Sequence, residues 1–449
     1  MATDQADQAD QVPRPEVAPS RGAFTVVRRI AGWLLVVAAI PAGAIGAVVG
    51  LVAVAAITGH RVLAAVGAGL VLLVCTGGVV RLAAALVTSR RASRRWLTGA
   101  VTAVTAAGVG FLIWGIVFGP TPPSTPLPMT ADVRFWHLPT GSRIAYTHTP
   151  AQGEARPSPV LLVHGGPGSP DGSRGALVRD LSAGGFDVYD YHQIGAGLSG
   201  RLADVGDYTV ARHVADLEAI RQVIGAERLA LVGASWGGTL IANYLAAHPE
   251  RVERAVVSSP GEIWAPAGTE AERLTEAGRR DQQEAIGRHP QFLFAQVLLS
   301  AAGPRAASTL FPDARMDGVF ESMVSDLDMR PGCASGPPSG TEGAWQPRGF
   351  GFWANAATSL DAGRVADPRP ALRAVTAPVL VLRGECDYIH WNATREYRDL
   401  LPNATLLAID DAGHTIPTHQ PDLYRETVRA FLHGEELPRP AYVAADPPW

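Results

Sequence analysis

The chain has 449 residues, long enough for more than one domain, and is 47% apolar but only 18% charged, with a formal net charge of −4. The charge is unevenly divided: the first 130 residues hold ten Arg against four Asp and Glu, which leaves 28 bases against 38 acids for the rest, and Lys is absent throughout. An acidic C-terminal region repels phosphates, which argues against nucleic acid or anionic lipid as its partner, and three Cys without metal-type spacing exclude a disulfide scaffold.

Residues 1–29 begin polar and Pro-containing without periodicity, and read as a disordered cytoplasmic tail. The region 30–118 then supplies three apolar segments: Ile30–Ile57 and Trp96–Phe118 contain no charge, and neither does Val62–Val80 before Arg81. Each reaches the roughly 20 residues that a transmembrane helix needs, which a cleaved signal peptide would not supply three times. Arg28 and Arg29 precede the first segment, and Arg90, Arg91, Arg94 and Arg95 lie between the second and third. The positive-inside rule therefore puts the N-terminus in the cytoplasm and everything after the third span outside. A re-entrant pairing of the first two segments would invert that side. Residues 119–130 are Pro-rich and read as a stiff extracellular spacer. Without interior acids, the spans offer no ion or proton pathway.

From residue 131 the pattern alternates strands and helices, as in an α/β domain. Strands are predicted at Val133–Leu138, Ile144–His148, Val160–His164, Phe186–Tyr191, Leu229–Gly233, Ala255–Ser258, Val379–Arg383 and Thr405–Ile409. The interior ones are short apolar runs, which suits parallel strands buried on both faces. Helices are predicted at Ala211–Ile224, Gly238–Ala247 and Leu423–Phe431. The alternation stops over 261–370, so 131–260 and 371–435 read as the core, 261–370 as an inserted lid and 436–449 as a C-terminal tail.

The most specific signal is Gly233-Ala234-Ser235-Trp236-Gly237, between an apolar strand and a helix. This is the Gly-x-Ser-x-Gly nucleophile elbow, in which a sharp turn exposes the serine hydroxyl and small flanking residues let neighbouring backbones approach. A serine nucleophile needs a base, and the base an orienting acid. In this arrangement the acid and then the histidine follow the serine in chain order. Asp387 follows the seventh predicted strand and His414 the eighth, both at the carboxyl edge of the sheet where ligand sites gather. Glu385 and Asp411 are the rival acids, and His390 and His419 the rival bases. His164-Gly165-Gly166-Pro167-Gly168 follows the third strand and presents backbone N–H groups to an oxyanion. Gly166 and Trp236 are the expected donors, Gly165 the one-residue alternative and His164 a support for the loop. No metal cluster, phosphate-binding loop or dinucleotide fingerprint is present in the sequence, so no cofactor is expected. Cys333 and Cys386 are the two cysteines outside the apolar segments, and an extracytoplasmic location permits a bridge between them.

The HGGPG loop, HQIGAGLSG after the fourth strand and GASWGG at the elbow resemble the proline iminopeptidase family of α/β-hydrolases. The resemblance covers about 131–435 and none of the apolar segments. It implies an α/β-hydrolase fold: a mostly parallel eight-stranded sheet with flanking helices and an inserted lid, here preceded by three transmembrane helices. It also implies hydrolysis of small peptides or amides from the N-terminal end, with lid glutamates holding the substrate's amino group. His192 stands where the family's fourth-strand loop has Asp, while Gln193, Gly195, Gly197 and Ser199 match. The family's aromatic lid segment is missing; the nearest stretch is Gly349-Phe350-Gly351-Phe352-Trp353-Ala354-Asn355, and Glu262, Glu270, Glu272, Glu276 and Glu342 are the available carboxylates. The expected partners are a small peptide or small-molecule acyl substrate and the lipid bilayer, with no nucleic acid. Fold and triad leave esterase chemistry and, with a silent triad, a binding module as the competing readings.

Overall fold

A computed structural model describes residues 21–170, 174–267, 274–326 and 348–449. The chain divides into two compact units, one formed by residues up to Val54 with Arg61–Trp114, the other by Ala55–His60 with Gly115–Trp449.

The first unit is built on the long apolar helices α1 (Arg21–Thr58), α2 (Arg61–Val87) and α3 (Arg91–Ile113), the last continued by a π-helical turn over Trp114–Phe118. All three are long and apolar enough to cross a membrane. Residues 21–29, expected in the irregular tail, are helical, so Arg28 and Arg29 lie within α1. Likewise Arg81 lies inside α2, and Arg91, Arg94 and Arg95 in the first turns of α3. The helices approach closely where side chains are absent: a Cβ on Gly50 would lie 2.9 Å from Val71 Cγ2, and one on Gly67 2.7 Å from Val54 Cγ2. Small residues at helix interfaces serve this purpose where lipid supplies no hydrophobic drive.

The second unit carries an eight-stranded sheet in the order β1-β2-β4-β3-β5-β6-β7-β8. Its strands are β1 (Arg134–His137), β2 (Arg143–Thr149), β3 (Val160–Val163), β4 (Val188–Tyr191), β5 (Leu229–Ala234), β6 (Val252–Ser258), β7 (Val379–Cys386) and β8 (Ala404–Gly413). The β1–β2 and β2–β4 pairs are antiparallel and the others parallel. All eight predicted strands form. β7 and β8 run further than predicted, because pairing resumes past an irregularity at Gly384–Cys386, with Cys386 opposite Gly413. Helices α4 (Gly175–Ala183), α5 (Val210–Ile224) and α6 (Trp236–Ala247) follow β3, β4 and β5. Side chains of β3, Val160 to Val163, are fully buried, as a central strand covered by helices requires.

Between β6 and β7 the described residues form α7 (Glu276–Arg288), α8 (Pro290–Ala302), α9 (Pro304–Leu310), α10 (Asp313–Asp326) and α11 (Phe352–Ala362). Phe292, Phe320, Phe350 and Phe352 meet edge-on in this insert, and Phe350, Phe352 and Trp353 are fully buried. The GFGFWAN stretch is therefore the lid's own core. The Pro-rich segment before β1 is bound to the lid. The Thr125 amide donates to the Glu321 carboxylate at 3.0 Å, and Gly318 of α10 lies against the backbone of Pro122 and Pro123. After β7 come α12 (Trp391–Leu400) and, beyond β8, α13 (Pro421–His433). The C-terminal tail is tied back to the core, Tyr442 N donating to Leu406 O at 2.7 Å and Trp391 Nε1 to Ala445 O at 2.7 Å. Cys386 is disulfide-bonded and Cys75 is free; Cys333 lies outside the described residues.

Candidate active site

Ser235 sits between β5 and α6 with φ +55° and ψ −123°, a conformation that L-residues rarely adopt. The surroundings over-determine it. Its amide donates to Ser258 O at 3.0 Å, and its carbonyl accepts from Gly238 N at 2.9 Å and Gly261 N at 3.1 Å. A Cβ on Gly233 would lie 2.6 Å from Ile241 Cδ1, and one on Gly237 would run into the Val163 carbonyl. The two glycines of the motif thus pay for the crossing of strand and helix in space rather than in flexibility.

His414 follows β8 directly, and its Nδ1 hydrogen donates to Asp387 Oδ1 at 2.7 Å. Asp387, directly after β7, also accepts from Ile389 N at 3.0 Å and from Arg383 Nη1 at 3.2 Å. All three side chains are buried. Burial opposes the charge of Asp387, but His414, Arg383 and the Ile389 amide outweigh it and hold the carboxyl below the usual carboxylate range. Burial pulls Arg383 below its ordinary value, with Asp387 working against that pull. Arg383 also donates to the carbonyls of Asp387 and Ile389, so it shapes the loop as well as the charge.

Tyr388, which sequence reasoning passed over, completes the cluster. Its ring lies on His414 with centroids 4.2 Å apart. Burial, then the charges of Asp387 and Glu262, push its phenol up, with the Ser235 side chain working against them, so it is a neutral hydroxyl. The Tyr388 carbonyl accepts from Thr275 N at 2.8 Å, which joins this loop to the start of the lid.

The oxyanion loop faces the elbow. A Cβ on Gly165 would lie 3.2 Å from Ser235 Cβ and 3.7 Å from its Oγ, so Gly165 is the glycine in contact with the serine. Gly166, at φ +113°, turns toward Gly168 and Ser169. Trp236 opens α6, and its N–H is among the first-turn donors that lack an intrahelical acceptor. His164 supports the loop: Nδ1 donates to Gly165 O at 2.9 Å and Nε2 accepts from Gln193 N at 2.8 Å. Burial keeps this ring well below its ordinary pKa, hence neutral, as its two hydrogen bonds require. Gln193 also binds His164 O and Trp236 Nε1, linking the fourth-strand loop to the elbow. His192, in the family's Asp position, is half-buried, its imidazole pushed down to about 4 chiefly by desolvation, and accepts from Leu198 N at 3.0 Å. The lid rests on these loops through Gly351 N to Gly168 O at 2.8 Å and Asn355 Nδ2 to Pro167 O at 2.9 Å.

A family profile described as the alpha/beta hydrolase fold matches residues 158–417, more than half of the chain. The chain belongs to the α/β-hydrolase family. This α/β-hydrolase is 26% identical over 308 residues to a proline iminopeptidase of Heyndrickxia coagulans, covering 66% of the chain and 96% of that relative. It is 33% identical over 156 residues to one from Lactobacillus delbrueckii subsp. bulgaricus, covering 33% of the chain and about half, 52%, of the relative. Among solved structures, an esterase from Rhodococcus sp. aligns over 68% of the chain and 100% of its own, at 21% identity and a TM-score of 0.47.

The rival residues of this α/β-hydrolase have other work. Glu385 accepts from Asp411 N at 3.0 Å, His390 caps Asn392 N at 3.3 Å, and His419 Nδ1 donates to the Thr415 carbonyl at 3.1 Å. Of the lid carboxylates, Glu270, Glu272 and Glu342 lie outside the described residues, and Glu276 starts α7. Glu262 accepts at its backbone carbonyl from Thr239 Oγ1 of α6 at 3.0 Å.

Proposed function

We propose that the chain is a membrane-anchored serine hydrolase that cleaves amide bonds as an aminopeptidase of proline iminopeptidase type, by a Ser235-His414-Asp387 acyl-enzyme mechanism. The observation that carries the reading is the 2.7 Å hydrogen bond between buried His414 and Asp387, one loop from a serine held at φ +55°. His414 Nε2 takes the Ser235 proton as the hydroxyl attacks the carbonyl, and Asp387 fixes the tautomer and stabilises the imidazolium. The tetrahedral oxygen is held by backbone N–H groups of Trp236 and of the Gly165–Gly166 turn. The imidazolium then protonates the leaving amine, and a water activated by the same ring releases the acyl product. No cofactor enters this scheme. The peptidase reading is supported by relatives that bear the name proline iminopeptidase. In this reading α1–α3 anchor the enzyme in the bilayer, and the arginine distribution supports a catalytic domain outside the cytoplasm.

The test is hydrolysis by the full chain of aminoacyl arylamides, their N-acetylated forms and short acyl esters, with Ser235→Ala as control. Cleavage confined to free-amine amides, and lost in the variant, is the expected result. Cleavage of esters alone would place the enzyme among esterases and leave the triad in place.

A further inference from the structure

The lid helices meet the chain where two of the apolar helices end. Arg315 of α10 donates to the carbonyls of Ile116 at 3.4 Å, Gly119 at 2.6 Å and also Val117, at the end of α3 and its π-helical turn. Arg305 of α9 stands beside the α1–α2 turn, where a Cβ on Gly59 would be 3.5 Å from its Nη2. Both turns belong to the same compact unit as the lid. A helix ends with unpaired carbonyls and a partial negative charge, and an arginine answers both. In a chain that crosses a bilayer three times, the ends of α1 and α3 emerge on one side. The lid is therefore tied to the chain that leaves these two helices.

Next to these arginines runs α8, whose sequence PQFLFAQVLLSAA contains no charge. One face, Phe292, Ala295 and Leu299, is buried in the lid. The other presents Leu293, Phe294 and Val297, exposed by 48%, 44% and 52%. A surface helix ordinarily turns polar residues outward, and an apolar second face marks a contact.

We propose that the Leu293–Phe294–Val297 face of α8 docks into the lipid surface of the bilayer crossed by α1–α3, seating the lid in the headgroup–acyl boundary. Continuity selects lipid as the occupant. Only Gly303 separates α8 from α9, and Val297 precedes Arg305 by eight residues across that turn. The face is thus held close in sequence to Arg305, which stands beside the α1–α2 turn, and shallow burial of an apolar helix face is how interfacial helices bind. The inference rests on the reading that α1–α3 cross the membrane.

The experiment places a nitroxide at Val297→Cys in the full chain carrying Cys75→Ser, reconstituted in phosphatidylcholine vesicles. Collisions with oxygen and with a water-soluble nickel chelate are compared with labels at Val104→Cys on α3 and Val443→Cys near the C-terminus, positions exposed by 74% and 82%. The expected result is an oxygen-to-nickel ratio at Val297 several-fold above that at Val443 and approaching that at Val104. A ratio equal to that at Val443 overturns the proposal while leaving the anchoring intact. Shielding from both reagents overturns it in favour of a protein partner or a second copy. A water-like ratio at Val104 itself overturns the anchoring and the docking together.

Discussion

Tyr388 lies across the imidazole of His414, with ring centroids 4.2 Å apart, one residue beyond the carboxylate that holds the same ring. The aromatic face limits how His414 can turn, and the Ser235 side chain acts against the rise of the phenol. Tyr388→Phe keeps the ring and removes the hydroxyl. A hydrogen bond worth about 1 kcal/mol corresponds to roughly a fivefold to tenfold loss in kcat. KM and melting temperature are expected to change little. An unaltered kcat would reduce the hydroxyl to packing.

Asp387→Asn tests the orienting carboxylate. The amide disrupts the tautomer that His414 needs, and kcat is expected to fall on the order of 10⁴-fold with little change in KM. Steady-state kinetics with one arylamide suffice. A loss below tenfold would mean that another group orients the base.

Arg383→Met leaves Asp387 buried without its strongest fixed cation and removes donors to the Asp387 and Ile389 carbonyls. Breaking a buried pair from one side costs about 3–5 kcal/mol, so urea denaturation should show a large loss. The pH dependence has a definite sign. Because the folded pKa of Asp387 is depressed, its contribution is present above the ordinary carboxylate range and disappears as pH falls through the lower folded value. In Arg383→Met that acid loss should begin at higher pH.

Asp313, in the first turn of α10, behaves in the opposite way. Burial, then neighbouring Asp317, push it up to about 6, with Arg201 opposing. A raised carboxyl favours the fold while protonated, and the benefit is lost as pH rises through the folded value. Asp313→Asn should therefore stabilise the protein at pH 7 by about 2 kcal/mol and have little effect at pH 4, read from melting curves at the two pH values.

Much of this architecture was legible because the signals are local. The runs VLLV and LALVGA are too apolar and too short for anything but buried strands, and the elbow lies directly after one of them. Chain order puts Asp387 and His414 directly after β7 and β8, and the pairing of those strands brings the two loops to one edge. What escaped depends on pairing at a distance. The extension of β7 and β8 past Gly384 needs Cys386 to meet Gly413, for which neither segment carries a periodic signature. The close approach of Gly165 to Ser235 depends on loop direction rather than composition, and the sequence leaves both Gly166 and its neighbour Gly165 as candidate donors. Tyr388 reads as an ordinary loop aromatic until His414 is brought under it. The proline segment reads as a stiff spacer because prolines show no pattern of burial, and its contacts with Glu321 and Gly318 of the lid become visible in the fold.

The most direct test of the central claim is reaction of the full chain with an active-site fluorophosphonate, followed by mass mapping of the modified peptide. Ser235 is the predicted and stoichiometric site, with labelling abolished in Ser235→Ala and slowed at least a hundredfold, on the order expected when a general base is lost, in His414→Ala. Labelling of another serine, or undiminished labelling in Ser235→Ala, would contradict the account.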